Sequence, residues 1–218
     1  MSQEIRTDLE RAATYRFLAL LFGPPSDELR DELTSLAEVV APSLREDATA
    51  VAAATSKELQ GLYHQLLGAS GRVPDGESAY DDNSAAGRGP LVADVAGFYR
   101  AFAFPAEPPN TPDHIGHELD FLAWLAMKSA YARHEGLDEQ REIVEAARAS
   151  FLRDHLGRWA ITFLERLALA GEGTHYEAVA ALVSRTLREL EGAETFARPS
   201  RRTKLPLLDD SEDVSACG

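Results

Sequence analysis

The sequence has one cysteine, Cys217, among its 218 residues. A single thiol can form neither an internal disulfide nor a zinc site that needs several thiolates from one chain. The sequence is therefore unlike that of a small disulfide-stapled secreted domain, and it is typical of a protein that works in the cytoplasm.

Basic residues are scarce relative to acidic ones. The chain has 22 Lys and Arg against 36 Asp and Glu, which gives a formal net charge of −14. Such a charge repels a phosphate backbone, and the part of the chain expected to fold has no basic stripe with interleaved aromatic residues, so nucleic acid is not an expected partner. The same charge attracts basic peptides.

The sequence also lacks a signal peptide and a long apolar run. Its opening segment, MSQEIRTDLERAATYRFLALLFG, carries acids where a signal peptide would be basic. The apolar stretch in that segment is far shorter than the roughly 20 residues that span a bilayer. We therefore expect neither export nor stable membrane insertion.

The residues that are abundant favour helices. Ala, Leu, Glu and Arg dominate and β-branched residues are sparse, which predicts an all-α protein. Apolar residues recur at helical spacing, which predicts a single globular bundle. The bundle has seven or eight helices, depending on whether a break near His155 separates two of them. The predicted helices cover residues 4–22, 26–41, 47–67, 91–104, 112–134, 138–154, 155–170 and 174–191.

Two segments have no helical period. Residues 68–90, GASGRVPDGESAYDDNSAAGRGP, are rich in Gly and Ser and are predicted to form a long internal loop, which in a compact domain tends to be functional or mobile. Residues 192–218 place a basic cluster before an acidic one and are predicted to form a disordered tail. The predicted domain is therefore 1–191.

The segment NTPDHIGHELDFL contains several side chains that could transfer a proton or bind a metal. Thr111, Pro112 and Asp113 match a helix start, with a cap, a proline at the first helical position and an acid in the first turn. His114 and Glu118 are four residues apart and share a helix face. They predict either a solvated ion pair or an acid/base pair.

A metal site is another interpretation of this segment. His114, His117 and Glu118 could be ligands, but their order, H-x-x-H-E, differs from the H-E-x-x-H and H-x-x-E-H patterns of zinc proteases. The other histidines are isolated in the sequence. No nucleophile elbow, phosphate-binding loop or dinucleotide fingerprint is present, so the motifs assign no catalytic residue, metal or cofactor.

Five segments, taken in order, resemble the TorD/DmsD/NarJ family of cytoplasmic chaperones for the maturation of molybdenum-containing redox enzymes. They are LYHQLLG, ESAYDD, FYRAFAF, PDHIGHELDFLAWL and HLGRWAITFLERL. The strongest match is PDHIGHELDFLAWL, which resembles the family's Pro-Asp-His turn followed by a Glu-Leu-Glu/Asp-Phe-Leu helix. The resemblance runs from about Arg11 to Leu190. Leu67 and Ala103 depart from it, because the family often has Phe and Gly there.

The resemblance implies an all-helical cytoplasmic chaperone that is not an enzyme and has no cofactor of its own. Such a protein binds the catalytic subunit of a molybdopterin-dependent oxidoreductase, or its twin-arginine signal peptide, and assists cofactor insertion and assembly before export. It would be a monomer or a domain-swapped dimer. The client-binding residues that the resemblance implies are Tyr63, Leu66, Leu67, Gly68, Ser78, Tyr80, Pro112, Asp113, His114, Glu118, His155 and Trp159.

Charge and polarity suggest which part of the client each of these residues contacts. Asp113 and Glu118 are expected to contact arginines of the client, and Leu66, Leu67 and Tyr80 its apolar segment. Two alternatives stay open. One is a metal-dependent helical enzyme that uses His114, His117 and Glu118, and the other is an all-helical adaptor for a folded partner.

The tail segment SRRTKL resembles the core of a twin-arginine signal. It is predicted either to be solvated or to fold back over the recognition surface.

Overall fold

The computed structural model describes residues 1–67, 70–81, 87–105 and 111–196. Within these ranges the regular structure is entirely helical, which confirms the predicted all-α class. Four short 3-10 turns lie at Pro42–Leu44, Lys57–Leu59, Glu77–Ala79 and Ala193–Phe196. The α-helices of the described ranges are α1 (Gln3–Leu20), α2 (Asp27–Ala37), α3 (Arg45–Ala54), α4 (Gln60–Leu66), α5 (Gly89–Ala101), α6 (Ile115–Glu135), α7 (Asp138–Asp154), α8 (Leu156–Ala170) and α9 (His175–Glu191).

The long helix α6 lies at the centre and packs along α1. Apolar residues recur at helical spacing along it, and Ile115, Leu119, Leu122 and Leu125 form a stripe that is fully buried. Each such side chain contributes roughly 1.5–3 kcal/mol when it leaves water, so this stripe is a large part of the core. Helices α7, α8 and α9 complete the bundle through the pairs α6–α7, α7–α8 and α8–α9. No helix in the described ranges is long and apolar enough to cross a membrane.

Hydroxyl side chains begin three of the helices. Ser2 Oγ accepts a hydrogen bond from the Ile5 N–H before α1, and Ser26 Oγ accepts one from the Leu29 N–H before α2. Thr174 Oγ1 does the same for the start of α9. These bonds satisfy backbone donors that have no partner inside the helix.

The predicted continuous helix over 47–67 is wrong, because α3 and α4 are separate helices. Thr55 adopts extended backbone angles, and its hydroxyl donates to the Val51 carbonyl instead of facing solvent. Ser56 is extended as well and precedes the short 3-10 turn. The extended angles at these two residues end α3, and helical backbone resumes only with that 3-10 turn. The predicted break near His155 is present between α7 and α8.

The predicted start of the helix at Pro112 is also wrong, since α6 begins three residues later with His114 as its N-cap. Thr111 does not cap the helix, and its hydroxyl donates to Asp113 Oδ1 instead. Pro112 and Asp113 form a turn in which the His114 N–H donates to the Thr111 carbonyl, and the segment also pairs with residues 75–77 of the predicted internal loop. The described part of that loop, 70–81, is therefore packed against the bundle.

The packed body continues past the predicted domain boundary after Glu191. Phe196 is only 6% exposed, in a 3-10 turn that packs on α8 and α9. The Thr195 hydroxyl donates to the Glu191 carbonyl at 2.6 Å, which fixes this turn on the end of α9. The remainder of the predicted tail, 197–218, lies outside the described residues.

Helix α5 ends in a backbone arrangement that normally uses glycine. The Phe104 N–H bonds to the Tyr99 carbonyl and the Ala103 N–H to the Arg100 carbonyl, the two bonds of a Schellman motif. The rings of Tyr99 and Phe104, 4.9 Å apart, supply the apolar contact that accompanies such an end. Ala103 is the only non-glycine residue of the described ranges with positive φ, at 51°. Its methyl group therefore makes this turn strained.

We expect Ala103→Gly to stabilise the protein by about 1 kcal/mol, because glycine adopts left-handed angles without a steric penalty. Ala103 is exposed, so the substitution removes no packing. The free energy of unfolding from urea titration followed by circular dichroism measures the change. Ala146→Gly, at an exposed position inside α7, is the control and should lose about 0.5–1 kcal/mol. A loss of stability in both variants would contradict the strain at Ala103.

Candidate functional site

Two of the segments that carry the family resemblance are paired through their backbones. The Glu77 N–H donates to the Asp113 carbonyl, and the Ile115 N–H donates to the Asp75 carbonyl, each at 2.8 Å. An antiparallel bridge links the same two stretches of chain. The ESAYDD segment is therefore held against the turn that precedes α6.

Asp113 strengthens this pairing with its side chain. The carboxylate accepts hydrogen bonds from the Ser78 N–H at 3.1 Å and from the Thr111 hydroxyl at 2.5 Å. Burial opposes ionisation of this group, but these hydrogen bonds outweigh it and lower the pKa of Asp113 below its ordinary value. At 1% exposure, the carboxylate predicted to contact a client's arginine is inaccessible in this structure.

The histidines considered as metal ligands bind separate partners. His114 Nδ1 accepts from the Gly116 N–H at 3.0 Å, and its Nε2 lies 3.4 Å from Asp75 Oδ2. His117 Nδ1 lies 3.0 Å from the Thr111 carbonyl oxygen. In the parts of the chain that the structure describes, no three His, Cys, Asp or Glu side chains converge as a metal site requires. The predicted ligand set is therefore not assembled.

The polar side chains deepest in the bundle join three elements. Trp159 Nε1, on α8, donates to Glu118 Oε2, on α6, at 3.1 Å. His155 Nδ1, where α7 meets α8, lies 3.0 Å from Glu77 Oε2. All four side chains are at most 3% exposed. We call these four residues and Asp113 the polar junction.

Glu118 lies in the polar junction with no cation bonded to it. Burial raises its pKa well above 4.5, and the neighbouring Glu77 and Asp113 carboxylates add to the increase, while the Trp159 hydrogen bond only partly opposes it. Its Oε1 has no hydrogen-bond partner among the described residues. A buried carboxylate in that position would be far more costly than a neutral carboxyl. We therefore expect Glu118 to keep its proton well above pH 4.5. Its hydrogen bond to Trp159 makes it neither a metal ligand nor the partner of His114.

The apolar residues predicted to contact a client are also in the core. Tyr63, Leu66, Leu67 and Tyr80 are at most 8% exposed. The Tyr80 ring lies 5.3 Å from the Trp159 ring and its hydroxyl donates to the Pro74 carbonyl. In this structure these side chains stabilise the bundle and offer no surface to a partner.

The remaining predicted residues lie at the edge of this region. Ser78 is half-buried, and its hydroxyl accepts from Arg88 Nε at 2.8 Å. Pro112 is half-buried too, and its carbonyl accepts from the Tyr99 hydroxyl at 2.8 Å. Gly68 lies outside the described residues.

Sequence reasoning missed two residues of this region, Glu77 and Asp94. Glu77 directly precedes Ser78 in the ESAYDD segment, so its place in the motif was an available signal. Asp94 lies 3.5 Å from His155 Nε2 through tertiary structure alone. Nothing in the spacing of the sequence connects α5 with the α7–α8 junction.

Two concave surfaces remain accessible near the two ends of α5. An apolar groove of about 450 Å³ lies between α1 and α6, where Leu9, Ala13, Phe104, Trp124 and Met127 line it. An acidic cleft of about 590 Å³ lies beside the start of α5 and the α7–α8 junction. Both surfaces are open to a partner, whereas the buried motif residues are not.

The buried Glu118 carboxyl predicts a pH-dependent loss of stability. Because its pKa is raised in the folded protein, its contribution is complete below about pH 4.5 and is lost as the pH rises toward the folded pKa. Glu118→Gln keeps the shape and the acceptor for Trp159 but does not titrate. We therefore expect its melting temperature, relative to the wild type, to increase as the pH rises above about 4.5.

Glu118→Ala is the matched control for this titration. It leaves a cavity and removes the acceptor of the buried Trp159 N–H, so we expect it to be about 2–4 kcal/mol less stable than Glu118→Gln at every pH, since neither variant titrates at this position. Differential scanning calorimetry of the three proteins over the same buffers measures both effects. A Gln variant whose difference from the wild type does not change with pH would show that Glu118 is ionised in the folded state.

Comparison with known proteins agrees with the motifs that the fold brings together. The chlorate reductase assembly chaperone protein of Ideonella dechloratans and the selenate reductase assembly chaperone protein of Thauera selenatis are each 34% identical to this chain over 83 residues. Those residues are 37% of this chain and 42% of each relative, so the match spans less than half of either relative's length.

A family model covers more of the chain than these two relatives do. The model described as nitrate reductase delta subunit matches residues 24–165, which is more than half of the 218 residues. The match includes the polar junction, both segments of the backbone pairing and the whole of α6. The family resemblance of the sequence is thereby confirmed, and this chain belongs to the nitrate reductase delta subunit family.

Proposed function

We propose that this protein is a cytoplasmic, non-catalytic assembly chaperone for the catalytic subunit of a molybdenum-cofactor oxidoreductase. It binds that subunit, through its N-terminal twin-arginine signal peptide or the apo-enzyme, and assists cofactor insertion before export. The observation that carries this proposal is family membership, together with two relatives named as assembly chaperones of a chlorate and a selenate reductase.

The accessible surfaces suit a client segment that is both basic and apolar. The acidic cleft lies beside the first residues of α5, and the apolar groove includes Phe104, just after the helix ends. The 13 residues of α5 separate them by about 20 Å along its axis. Extended peptide covers about 3.3 Å per residue, so a segment of six or seven residues spans that distance. A protein of net charge −14 also attracts a basic segment over long range.

The groove supplies the apolar part of this binding. Met127 is 49% exposed, and Trp124 is held at the groove by a 2.9 Å hydrogen bond from its Nε1 to the Phe102 carbonyl. Lys128 lies over the Trp124 ring at 5.1 Å and leaves a charged rim beside the apolar floor. An apolar floor with a charged rim is typical of a groove that binds an amphipathic peptide.

Affinity purification of the tagged chain from its native host, followed by mass spectrometry, tests the proposal. We expect the catalytic subunit of a molybdenum-cofactor oxidoreductase to co-purify, in a form deficient in molybdenum relative to the mature enzyme. Metal analysis of the same eluate measures that deficiency. Recovery of no oxidoreductase subunit above the untagged control would overturn the proposal, and recovery of an unrelated folded partner would instead support the adaptor alternative.

Met127→Asp should reduce recovery of that subunit roughly tenfold or more. Binding would bury a carboxylate without a partner, which costs several kcal/mol. Leu169→Asp, at a leucine that is 68% exposed on α8, is the matched control and should retain wild-type recovery. Both variants should melt within a few degrees of the wild type, because both side chains are exposed. Equal losses in the two variants would show that added charge, and not the groove, reduces binding.

A further inference from the structure

The acidic cleft has an excess of carboxylates over cations. It opens between the Glu77–Ala79 turn, the start of α5 and the α7–α8 junction, with a volume of about 590 Å³. One guanidinium and one imidazole face four carboxylates. The charged and titratable residues that line it are Glu77, Asp81, Asp94, Asp154, His155 and Arg158.

Most of these carboxylates already have partners inside the protein. Asp154 is held by the guanidinium of Arg153 through two hydrogen bonds, at 2.9 and 2.5 Å. Asp81 lies 4.0 Å from Arg158 Nη2. Asp94 differs from them, because its side chain is 70% exposed and makes no ion pair with Lys or Arg in the described ranges. A negative charge is therefore available at the mouth of the cleft.

His155 adds a second and independent feature. The side chain is 3% exposed, and its Nε2 has no hydrogen-bond partner among the residues that the structure describes. Its Nδ1 lies 3.0 Å from Glu77 Oε2, and we assign the N–H to Nδ1 as the donor to that carboxylate, an assignment that leaves the lone pair on Nε2. The rings of Phe98 and Phe151, at 5.4 and 5.0 Å, hold the imidazole in this orientation.

The unused acceptor and the available charge are adjacent. His155 Nε2 lies 3.5 Å from Asp94 Oδ2, with both atoms at the cleft. A buried acceptor without a donor costs free energy, which a ligand that supplies an N–H would recover. The ligand must also be cationic, since the lining repels anions. A guanidinium meets both needs, because its planar fork donates to two neighbouring acceptors at once and stays protonated.

We propose that the acidic cleft binds an arginine side chain of a basic peptide, whose guanidinium donates to His155 Nε2 and forms an ion pair with Asp94. The proposal rests on the proposed function for the identity of the peptide, a basic N-terminal segment of the client. It assigns the basic part of that segment to the cleft and not to the buried Asp113 and Glu118.

Nuclear magnetic resonance titration of the full-length ¹⁵N-labelled chain tests the site without knowledge of the client. The probe is N-acetyl-Arg-Arg-amide, and the control is the same dipeptide with citrulline, which keeps the shape and removes the charge. We expect the arginine peptide to shift the backbone amides of residues 78–81, 89, 91–94 and 154–158. The Nε2 resonance of His155 should move as it accepts the new hydrogen bond. The citrulline peptide should produce neither change.

Asp94→Asn should weaken the binding of this probe at least fivefold, because it removes the one carboxylate beside Nε2 that has no Lys or Arg partner in the described ranges. Asp138→Asn is the matched control and should change the dissociation constant less than twofold. Asp138 is exposed on the first turn of α7, about 24 Å along that helix from Asp154. Equal effects of the two variants, or equal shifts with citrulline, would overturn the proposal.

The chain itself carries a second source of guanidinium, Arg201 and Arg202 of the SRRTKL segment. Replacing both with Gln in the full-length chain separates the two sources. An increased affinity for the probe would show that these arginines compete for the cleft, and an unchanged affinity would assign the cleft to a partner's arginine. Either result keeps a guanidinium in the cleft.

The probe titration and the co-purification can fail independently of each other. If the probe leaves the cleft unshifted while an oxidoreductase subunit co-purifies, the assembly role stands and the basic segment binds elsewhere. If the probe binds beside Asp94 and no such subunit co-purifies, the arginine site stands and the client assignment fails.

Discussion

The hydrogen bond between Trp159 and Glu118 is the contact on which the arrangement of the bundle depends. It joins α8 to α6 at a depth where neither side chain reaches water. The second bond of the polar junction, between His155 and Glu77, attaches the 3-10 turn of residues 77–79 to the same place. Buried polar groups tolerate few alternative arrangements, because each one that loses its partner costs about 1–3 kcal/mol. The junction therefore selects one packing of these elements.

This constraint explains why the most distinctive segment of the sequence is buried. Asp113 and His114 are used to pair the turn before α6 with residues 75–78, and Glu118 is used to bind Trp159. Side chains that look available to a ligand in the sequence are thereby committed to holding the fold. What the described structure leaves open to a partner is the rim of the junction, where Asp94 and the outer face of His155 reach the acidic cleft.

The structure separates the acidic and the apolar binding surfaces that the sequence had suggested as a single site. An acidic protein was expected to bind a basic and apolar peptide, and the structure offers an acidic cleft at one end of α5 and an apolar groove at the other. The helix between them ends at Ala103, where a residue with a methyl group adopts angles that favour glycine.

Composition and helical spacing determined the all-α class, the core stripe of α6 and the break at His155, since these depend on local propensity and on which face of a helix is apolar. They failed where a local pattern competes with tertiary pairing. Thr111-Pro112-Asp113 is a good helix start, yet it forms a turn, and the backbone bonds to residues 75 and 77 hold the start of α6 at Ile115. The predicted helix of 47–67 divides at Thr55, whose extended backbone angles apolar spacing does not predict.

Only the tertiary structure decided which functional side chains are accessible. The sequence by itself determined the order of the motifs and hence the family, because the order of motifs along the chain does not depend on how the chain folds. Burial is set by which distant segments meet, and His155 meets Glu77 and Asp94 across 78 and 61 positions of the chain respectively. Such meetings follow from the packing of whole helices, so the acidic cleft could be recognised only after α5, α7 and α8 were in place.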